Sequence, residues 1–188
     1  MEQDQRQRPN ILITGTPGTG KTTLASLMGE EEGFLHVDVP AIIQENRCYE
    51  GRDDALDSHI LDEDKLLDLL ESRLAEEHEK DDPEKNSIVM DYHLCEIFPE
   101  RWFDLVIVLR TQTEPLFDRL TQRGYSAHKR QENMDCEIMQ VVLDAARESY
   151  ATEIVHECPS NSIQDLESAA QRIKDWTKQW MADRNSDD

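Results

Sequence analysis

The sequence predicts an α/β fold with a parallel sheet of about five strands flanked by helices. Short apolar strands alternate with helical patterns along the chain, and a glycine-rich turn joins the first strand to the first helix. The strands are nearly continuous apolar runs, which is typical of a parallel sheet covered on both faces. Since the chain has 188 residues, 37% of them hydrophobic, we predict one domain spanning residues 1–188.

Five strands are predicted from short runs of β-branched and other apolar residues. They span Asn10–Thr14, 34–37, Ser87–Asp91, 104–110 and 154–157. Four helices are predicted at 21–28, 114–123, 133–150 and 164–181. A fifth helix is predicted after Asp62, a candidate N-cap, because Leu67, Leu70 and Leu74 fall on one helical face.

Two further segments are interpreted from their composition. The charged run 76–86 contains Pro83, so we predict an exposed loop between a helix and a strand. Trp176 and Trp180 lie one turn apart on the last predicted helix. Large aromatic side chains are mostly buried, so core packing is favoured over a ligand platform for both.

Charge and cysteine content narrow the classes of function. The chain has 41 acidic and 20 basic residues and a formal net charge of −21, which opposes nonspecific binding to nucleic acid and favours a basic protein partner over an acidic one. A merely solvated acidic surface is the alternative. The four cysteines are isolated, which indicates neither a zinc site nor a disulfide framework. With no apolar leader and no run of about 20 apolar residues, we predict a soluble intracellular protein.

The sequence 15–22, GTPGTGKT, fits the phosphate-binding P-loop G-x-x-x-x-G-K-[ST] and stands between a predicted strand and a predicted helix. Its backbone N–H groups would cradle phosphates, Lys21 would bridge the β and γ phosphates of ATP, and the Thr22 hydroxyl would ligate Mg²⁺. The chain is therefore predicted to be a P-loop NTPase with ATP and Mg²⁺ as cofactors. The predicted nucleotide-binding residues here are Gly15, Pro17, Gly18, Thr19, Gly20, Lys21, Thr22 and Thr23.

Asp91 ends the apolar strand Ser87–Asp91, where a P-loop protein places the carboxylate that orients Mg²⁺. A single Asp at a strand end can also be an ordinary turn or cap residue, but the upstream P-loop favours the metal role. His93 follows two residues later. A histidine near the γ-phosphate could orient water or a hydroxyl, and a packed or surface histidine is the alternative.

Several runs together resemble the adenylate kinase isoenzyme 6 family, over about residues 10–180. They are ITGTPGTGKTTL at 13–24, ILDED at 60–64, DYH-C at 91–95, FPERWFD at 98–104, VLRT at 108–111, RL-RGY at 119–125 and CEI-QV at 136–141. The resemblance implies a nucleoside-monophosphate-kinase-like fold with adenylate kinase or ATPase activity. It also implies a role in maturation of the small ribosomal subunit and its 18S rRNA.

The resemblance further assigns segments and side chains. A segment at about 38–61 would bind the acceptor, AMP or another nucleoside monophosphate, and a short lid would span about 122–132. Arg119 and Arg123 match the family's lid arginines and would stabilise charge on the transferred phosphoryl group; exposed cations near a helix end are the alternative. Asp91 and His93 match the family's Walker B positions. The implied partner is a basic ribosomal protein, and the implied location is nucleus and cytoplasm.

Three departures from the family pattern bear on activity. Gln44 stands where an arginine is expected to hold the acceptor monophosphate. Losing a charge-assisted phosphate contact costs about 1.5 to 3 kcal/mol, so weakened AMP phosphorylation is predicted while ATP binding is retained. Leu94 replaces an expected glycine, and the loop 76–86 is longer than the family's.

Two other P-loop classes are weighed against this interpretation. A GTPase switch would need an Asp-x-x-Gly turn after the metal strand, but Asp91 is followed by Tyr92, His93 and Leu94, and the chain has no Asn-Lys-x-Asp. A small-metabolite kinase such as a shikimate kinase stays open, because a P-loop specifies the donor and not the acceptor. No membrane association and no sequence-specific nucleic-acid binding are expected.

Overall fold

The computed structural model of the protein describes residues 6–53, 58–79 and 86–186. In chain order its strands are β1 (Asn10–Thr14), β2 (Phe34–Asp38), β3 (Tyr49–Asp53), β4 (Ser58–Leu61), β5 (Ser87–Asp91), β6 (Leu105–Arg110) and β7 (Val155–Pro159). Five of them form one sheet in the order β2-β5-β1-β6-β7, and its pairings are all parallel. The predicted five-stranded parallel sheet is confirmed.

Helices connect the strands and cover the sheet. They are α1 (Lys21–Gly29), α2 (Val39–Asn46), α3 (Glu63–Glu79), α4 (Thr113–Gln122), α5 (Ala127–Ile138), α6 (Val141–Ser149) and α7 (Ile163–Ser186). Buried residues alternate between the two faces of the sheet, as parallel strands covered on both sides require. On β1, Leu12 belongs to one buried cluster, while Ile11 and Ile13 belong to the other.

The prediction of a single helix at 133–150 is wrong, because two helices occupy this region. α5 begins earlier, at Ala127, where the Ser126 hydroxyl caps the backbone N–H of Lys129. It ends at Ile138, and Gln140 then takes a left-handed backbone conformation with φ 61° before α6 begins. A left-handed residue interrupts the helical hydrogen-bond ladder, and neither glycine nor proline marks the break in the sequence.

The helix predicted after Asp62 is confirmed, since the Asp62 carboxylate accepts a hydrogen bond from the backbone N–H of Lys65 at 3.0 Å. The predicted loop 76–86 is wrong in its first part, because α3 continues through Glu79. Residues 76–79 contain no helix breaker, so the helix can extend over this charged stretch. Residues 80–85 lie outside the described part of the chain.

The segment 38–61 forms elements that the sequence patterns did not predict. The Asp38 carboxylate caps α2 by accepting from Ala41 N at 2.8 Å, and Pro40 stands in the first turn, where proline is favoured. Strands β3 and β4 form a separate antiparallel pair. Residues 54–57 within this segment lie outside the described residues.

The last helix carries the two tryptophans in different environments. Trp176 packs against the buried cluster between α7 and the sheet, in line with the core prediction. Trp180 is half-buried, and the Arg184 guanidinium lies 4.2 Å from its ring centroid. None of the helices in the described ranges combines the length and apolarity that crossing a bilayer requires.

Candidate functional site

The P-loop lies at the carboxyl end of β1 and runs into α1, at the edge of the sheet where α/β proteins place ligands. Two of its glycines combine a positive φ with no room for a Cβ atom. Gly15 has φ +146°, and an added Cβ would stand 2.7 Å from the carbonyl oxygen of Leu109. Gly18 has φ +95°, and its Cβ would meet Leu116 at 2.9 Å. The loop is thus packed tightly on β6 and α4, which fixes the direction of its N–H groups.

Lys21 lies inside the loop that it would serve. Its ammonium group donates to the carbonyl oxygen of Gly15 at 2.8 Å and to that of Thr16 at 3.1 Å. The pKa of Lys21 is lowered to about 8, mainly by burial and also by the charge of Arg123, while Asp91 and Glu137 oppose the shift. A desolvated ammonium whose neighbours are mostly carbonyls is suited to a phosphate ligand.

The structure brings Asp91 and Thr22 together, as the sequence predicts for a magnesium site. Asp91 is 0% exposed, and its Oδ2 accepts from the Thr22 hydroxyl at 2.6 Å. β5 lies beside β1 in parallel register, with Asp91 opposite Ile13, and this pairing delivers the carboxylate to the start of α1.

His36 also contacts Asp91, and the sequence patterns did not single it out. Its Nε2 lies 2.8 Å from Oδ1 of Asp91, and the side chain is 17% exposed. His36 comes from β2, which is the other neighbour of β5. Only the strand order could have identified this contact, because 55 positions separate the two residues along the chain.

His93 lies two residues after Asp91, near enough to Lys21 for the two charges to interact. Burial lowers the pKa of His93 to about 4, and the charge of Lys21 lowers it as well. The ring packs against Tyr92 with centroids 4.6 Å apart. A histidine with this pKa is neutral at neutral pH, so it can accept or donate a hydrogen bond there but does not supply positive charge to a phosphate.

The two predicted lid arginines lie at the carboxyl-terminal end of α4. Arg119 is half-buried and donates to the carbonyl oxygens of Ser160 at 2.8 Å, Asn161 at 3.0 Å and Gly18 at 3.4 Å. Arg123 is exposed, and its charge lowers the pKa of both Lys21 and Arg119. The structure therefore brings both arginines to the P-loop, Arg119 through backbone contacts and Arg123 as a nearby exposed charge.

Glu137 is a second buried acid at this site that the sequence patterns missed. The residue is 4% exposed, and its carboxylate accepts from the Thr16 hydroxyl at 2.5 Å, Arg110 Nε at 2.8 Å and Thr111 N at 2.9 Å. A Glu in the run CEI gave no signal by itself, since an acid on a helix is usually solvated.

These side chains fit Mg²⁺ and ATP by their chemistry. Thr22 and Asp91 supply two hard oxygen ligands at hydrogen-bonding distance from each other, and Lys21 stands beside them. Mg²⁺ is usually held by one or two protein oxygens, with water and phosphate completing its octahedron. The described ranges contain no group of three or more His, Cys, Asp or Glu side chains that could hold a metal ion.

In the predicted acceptor segment 38–61, the position expected to hold the phosphate of AMP is occupied by an uncharged residue. Gln44 is exposed on α2 and neutral. The ammonium of Lys65 donates to the carbonyl oxygens of Asn46 at 2.8 Å and Arg47 at 3.2 Å, so it serves the end of α2. Tyr49 on β3 and His59 on β4 stack with ring centroids 4.5 Å apart.

Comparison with known proteins places this geometry in a family. Residues 11–140 match the family model described as an AAA domain. The adenylate kinase isoenzyme 6 homolog of Caenorhabditis elegans is 48% identical over 170 residues, which is 90% of each chain. The chain belongs to the adenylate kinase isoenzyme 6 family. The isoenzyme 6 homolog of Dictyostelium discoideum agrees, with 46% identity over 96% of this chain and 98% of its own.

A solved structure supports the fold independently of sequence identity. The crystal structure of shikimate kinase from Bacteroides thetaiotaomicron superposes with a TM-score of 0.59 at 15% identity, covering 90% of this chain and 98% of its own. At that identity the likeness concerns the fold alone. Membership of the isoenzyme 6 family makes the chain a P-loop protein of the nucleoside-monophosphate-kinase type, whose members use ATP and Mg²⁺.

Proposed function

We propose that the protein is a Mg²⁺-dependent ATPase of the isoenzyme 6 family with weak adenylate kinase activity. The observation that carries the proposal is the contact between Thr22 and the buried Asp91, beside the ammonium of Lys21. This arrangement joins an oxygen pair for Mg²⁺ to a cation for the phosphates, which phosphoryl transfer from ATP requires.

Catalysis would come from positioning and electrostatics. P-loop N–H groups and Lys21 would hold the β and γ phosphates, and Arg119 and Arg123 at the end of α4 would offset charge on the transferred group. Bound Mg²⁺ would neutralise phosphate oxygens in this site. His93, neutral at physiological pH because burial keeps its pKa at about 4, would orient a water or hydroxyl by hydrogen bonding.

The balance between hydrolysis and AMP phosphorylation follows from the acceptor segment. Gln44 offers an amide where a guanidinium would pair with the phosphate of AMP, and a neutral contact is roughly half as strong as a charge-assisted one. The short lid, about residues 122–132, would exclude water incompletely. Both features favour ATP hydrolysis over transfer to AMP.

For the cellular role we propose action on the small ribosomal subunit during maturation of its 18S rRNA, in nucleus and cytoplasm. The net charge of −21 supports a basic small-subunit ribosomal protein as partner, because complementary charge accelerates association and excludes acidic partners. Direct sequence-specific nucleic-acid binding and membrane binding form no part of this role.

The test is steady-state turnover of Mg·ATP by the purified protein, with ADP and phosphate followed separately, with and without AMP. We expect phosphate release in both conditions and a small additional ADP yield with AMP. ADP formation from AMP without phosphate release would identify an efficient adenylate kinase and overturn the ATPase assignment. Turnover that needs another small hydroxyl compound would point to a metabolite kinase.

The proposed partner needs its own experiment. Purified basic ribosomal proteins of the small subunit are titrated against the labelled protein at low and high salt. We expect binding to one of them that weakens as salt rises, since screening reduces attraction between opposite charges. Equal, weak binding to every basic protein tested would show nonspecific attraction and contradict the proposed role.

A further inference from the structure

A negative charge is buried against the phosphate cradle, where a positive charge would be expected. The carboxylate of Glu137 accepts hydrogen bonds from three donors on two chain segments: the Thr16 hydroxyl of the P-loop, and Arg110 Nε and the backbone N–H of Thr111 at the end of β6. Arg110 also donates to the Glu137 carbonyl oxygen at 2.9 Å. Both the side chain and the backbone of Glu137 are thus held.

Thr16 is the residue through which Glu137 reaches the P-loop. Thr16 is 0% exposed, and its hydroxyl donates to Glu137. Its carbonyl oxygen accepts from the Lys21 ammonium at 3.1 Å, the Thr19 hydroxyl at 2.8 Å and the Thr19 N–H at 3.2 Å. Fixing Thr16 therefore fixes a carbonyl that positions Lys21 and the turn of the loop.

Glu137 also lies at the end of a helix that begins in the lid segment. α5 starts at Ala127, inside the predicted lid 122–132, and ends at Ile138. The contacts of Glu137 pin the last turn of this helix to β6 and the P-loop, while its first residues are exposed. One helix thus connects the predicted lid segment to the phosphate cradle.

We propose that Glu137 is a positioning residue that ties the P-loop to α5, so that ATP binding and the position of the lid are coupled. The proposal rests on the proposed function, since it needs ATP in the P-loop. A carboxylate is suited to this place because its two oxygens accept from three donors on two segments at once, whereas an amide has one acceptor oxygen and would place an N–H₂ group against one of these donors.

The first test compares Glu137→Gln with Asp135→Asn, a matched loss of one negative charge on the exposed face of the same helix. The dissociation constant for ATP is measured with a fluorescent analogue, and melting curves establish that each variant is folded. We expect about tenfold weaker ATP binding for Glu137→Gln, in the range for a lost charge-assisted hydrogen bond, and unchanged binding for Asp135→Asn.

Thr16→Val separates an effect through the P-loop from a general loss of packing. This variant removes the hydroxyl that donates to Glu137 and leaves the contacts of Arg110 and Thr111. If Glu137 acts through Thr16, a variant that combines Thr16→Val with Glu137→Gln has the same ATP affinity as whichever single variant binds ATP less tightly. Multiplied losses in the double variant, or a lowered melting temperature with unchanged ATP affinity, would overturn the proposal.

Coupling to the lid is read by tryptic cleavage at Lys129 and Arg130, which lie in α5. In the wild type we expect saturating ATP to slow cleavage there, and in Glu137→Gln we expect saturating ATP to give less protection. Equal protection in both would refute the coupling. If the wild type itself fails to bind or hydrolyse ATP, the proposed function fails; if it succeeds and Glu137→Gln behaves identically, only the present inference fails.

Discussion

The P-loop side of this site and the predicted acceptor segment 38–61 are built in opposite ways. On the donor side, Asp91 of β5 contacts Thr22 of α1, Glu137 of α5 contacts the P-loop through Thr16, and both acids are almost fully buried. On the predicted acceptor side, Gln44 is an exposed side chain on α2, and Lys65 of the following helix α3 donates to backbone carbonyls at the end of α2.

This difference indicates which positions can be substituted with little loss of folding stability. Removing a buried, paired charge leaves its partner unsatisfied, so the donor side is constrained by stability as well as by chemistry. An exposed residue such as Gln44 can change with little effect on folding. Substitution of Gln44 is therefore expected to change folding stability less than substitution of Asp91 or Glu137.

The largest effect is expected from Lys21→Ala. The variant removes the one ammonium held inside the P-loop, and we expect ATP turnover to fall by about a hundredfold or more, as for removal of one group that stabilises transition-state charge. Phosphate release is the measurement. Lys174→Ala, which removes a lysine paired with Glu31 on the surface, is the control and should retain full turnover.

Asp91→Asn comes next and tests the metal half of the donor side. The amide keeps the size and a hydrogen-bond acceptor for Thr22 but loses the charge for Mg²⁺, so turnover should fall by about one to two decades. The Mg²⁺ concentration for half-maximal turnover should rise in parallel. An unchanged Mg²⁺ requirement would show that Asp91 does not bind the metal ion, and the contrast between the two sides would then lose its support on the donor side.

Gln44→Arg tests the predicted acceptor side by adding a phosphate-binding group instead of removing one. A guanidinium at this position should lower the KM for AMP by about tenfold, since a bidentate phosphate contact is worth one to two decades. The dissociation constant of ATP should stay the same, and Gln171→Arg on the exposed face of α7 should change neither quantity. A variant with no gain toward AMP would show that acceptor binding is limited elsewhere.

The smallest effect concerns pH. Because burial lowers the pKa of Lys21 to about 8, free protein loses this charge in mildly alkaline solution, and ATP prefers the charged form. The dissociation constant of Mg·ATP should therefore rise about fourfold between pH 7 and pH 8.5, with proton uptake on binding. Lys21→Arg, whose guanidinium stays charged, should bind independently of pH in this range.

The sequence predicted most of what depends on local signals. The P-loop has a fixed spacing of glycines, lysine and threonine, and β1, β5 and β6 are apolar runs with clear ends, so the sheet and the pair Thr22–Asp91 followed from pattern and fold type. The family resemblance, carried by runs such as FPERWFD, was also confirmed.

The contacts that sequence reasoning missed all depend on tertiary structure. His36 reaches Asp91 because β2 and β5 are neighbours, and Glu137 reaches Thr16 because α5 ends over the P-loop. The break between α5 and α6 occurs at Gln140, which adopts a left-handed conformation without glycine. Separations of 55 and 121 positions leave no periodic signal along the chain, so only packing decides these contacts.

The central position of β1 has a consequence for how the chain acquires its activity during synthesis. β1 pairs with β5 through Asn10 and Ile88, and with β6 through Ile11 and Leu105, so both neighbours of the P-loop strand emerge much later than the strand itself. Such non-local parallel pairing slows folding, and the strands that are synthesised first stay unpaired until their neighbours emerge. A growing chain therefore cannot assemble the phosphate cradle until the strands on both sides of β1 have been synthesised, and the cradle gains its contacts with Glu137 and Ser160 later still.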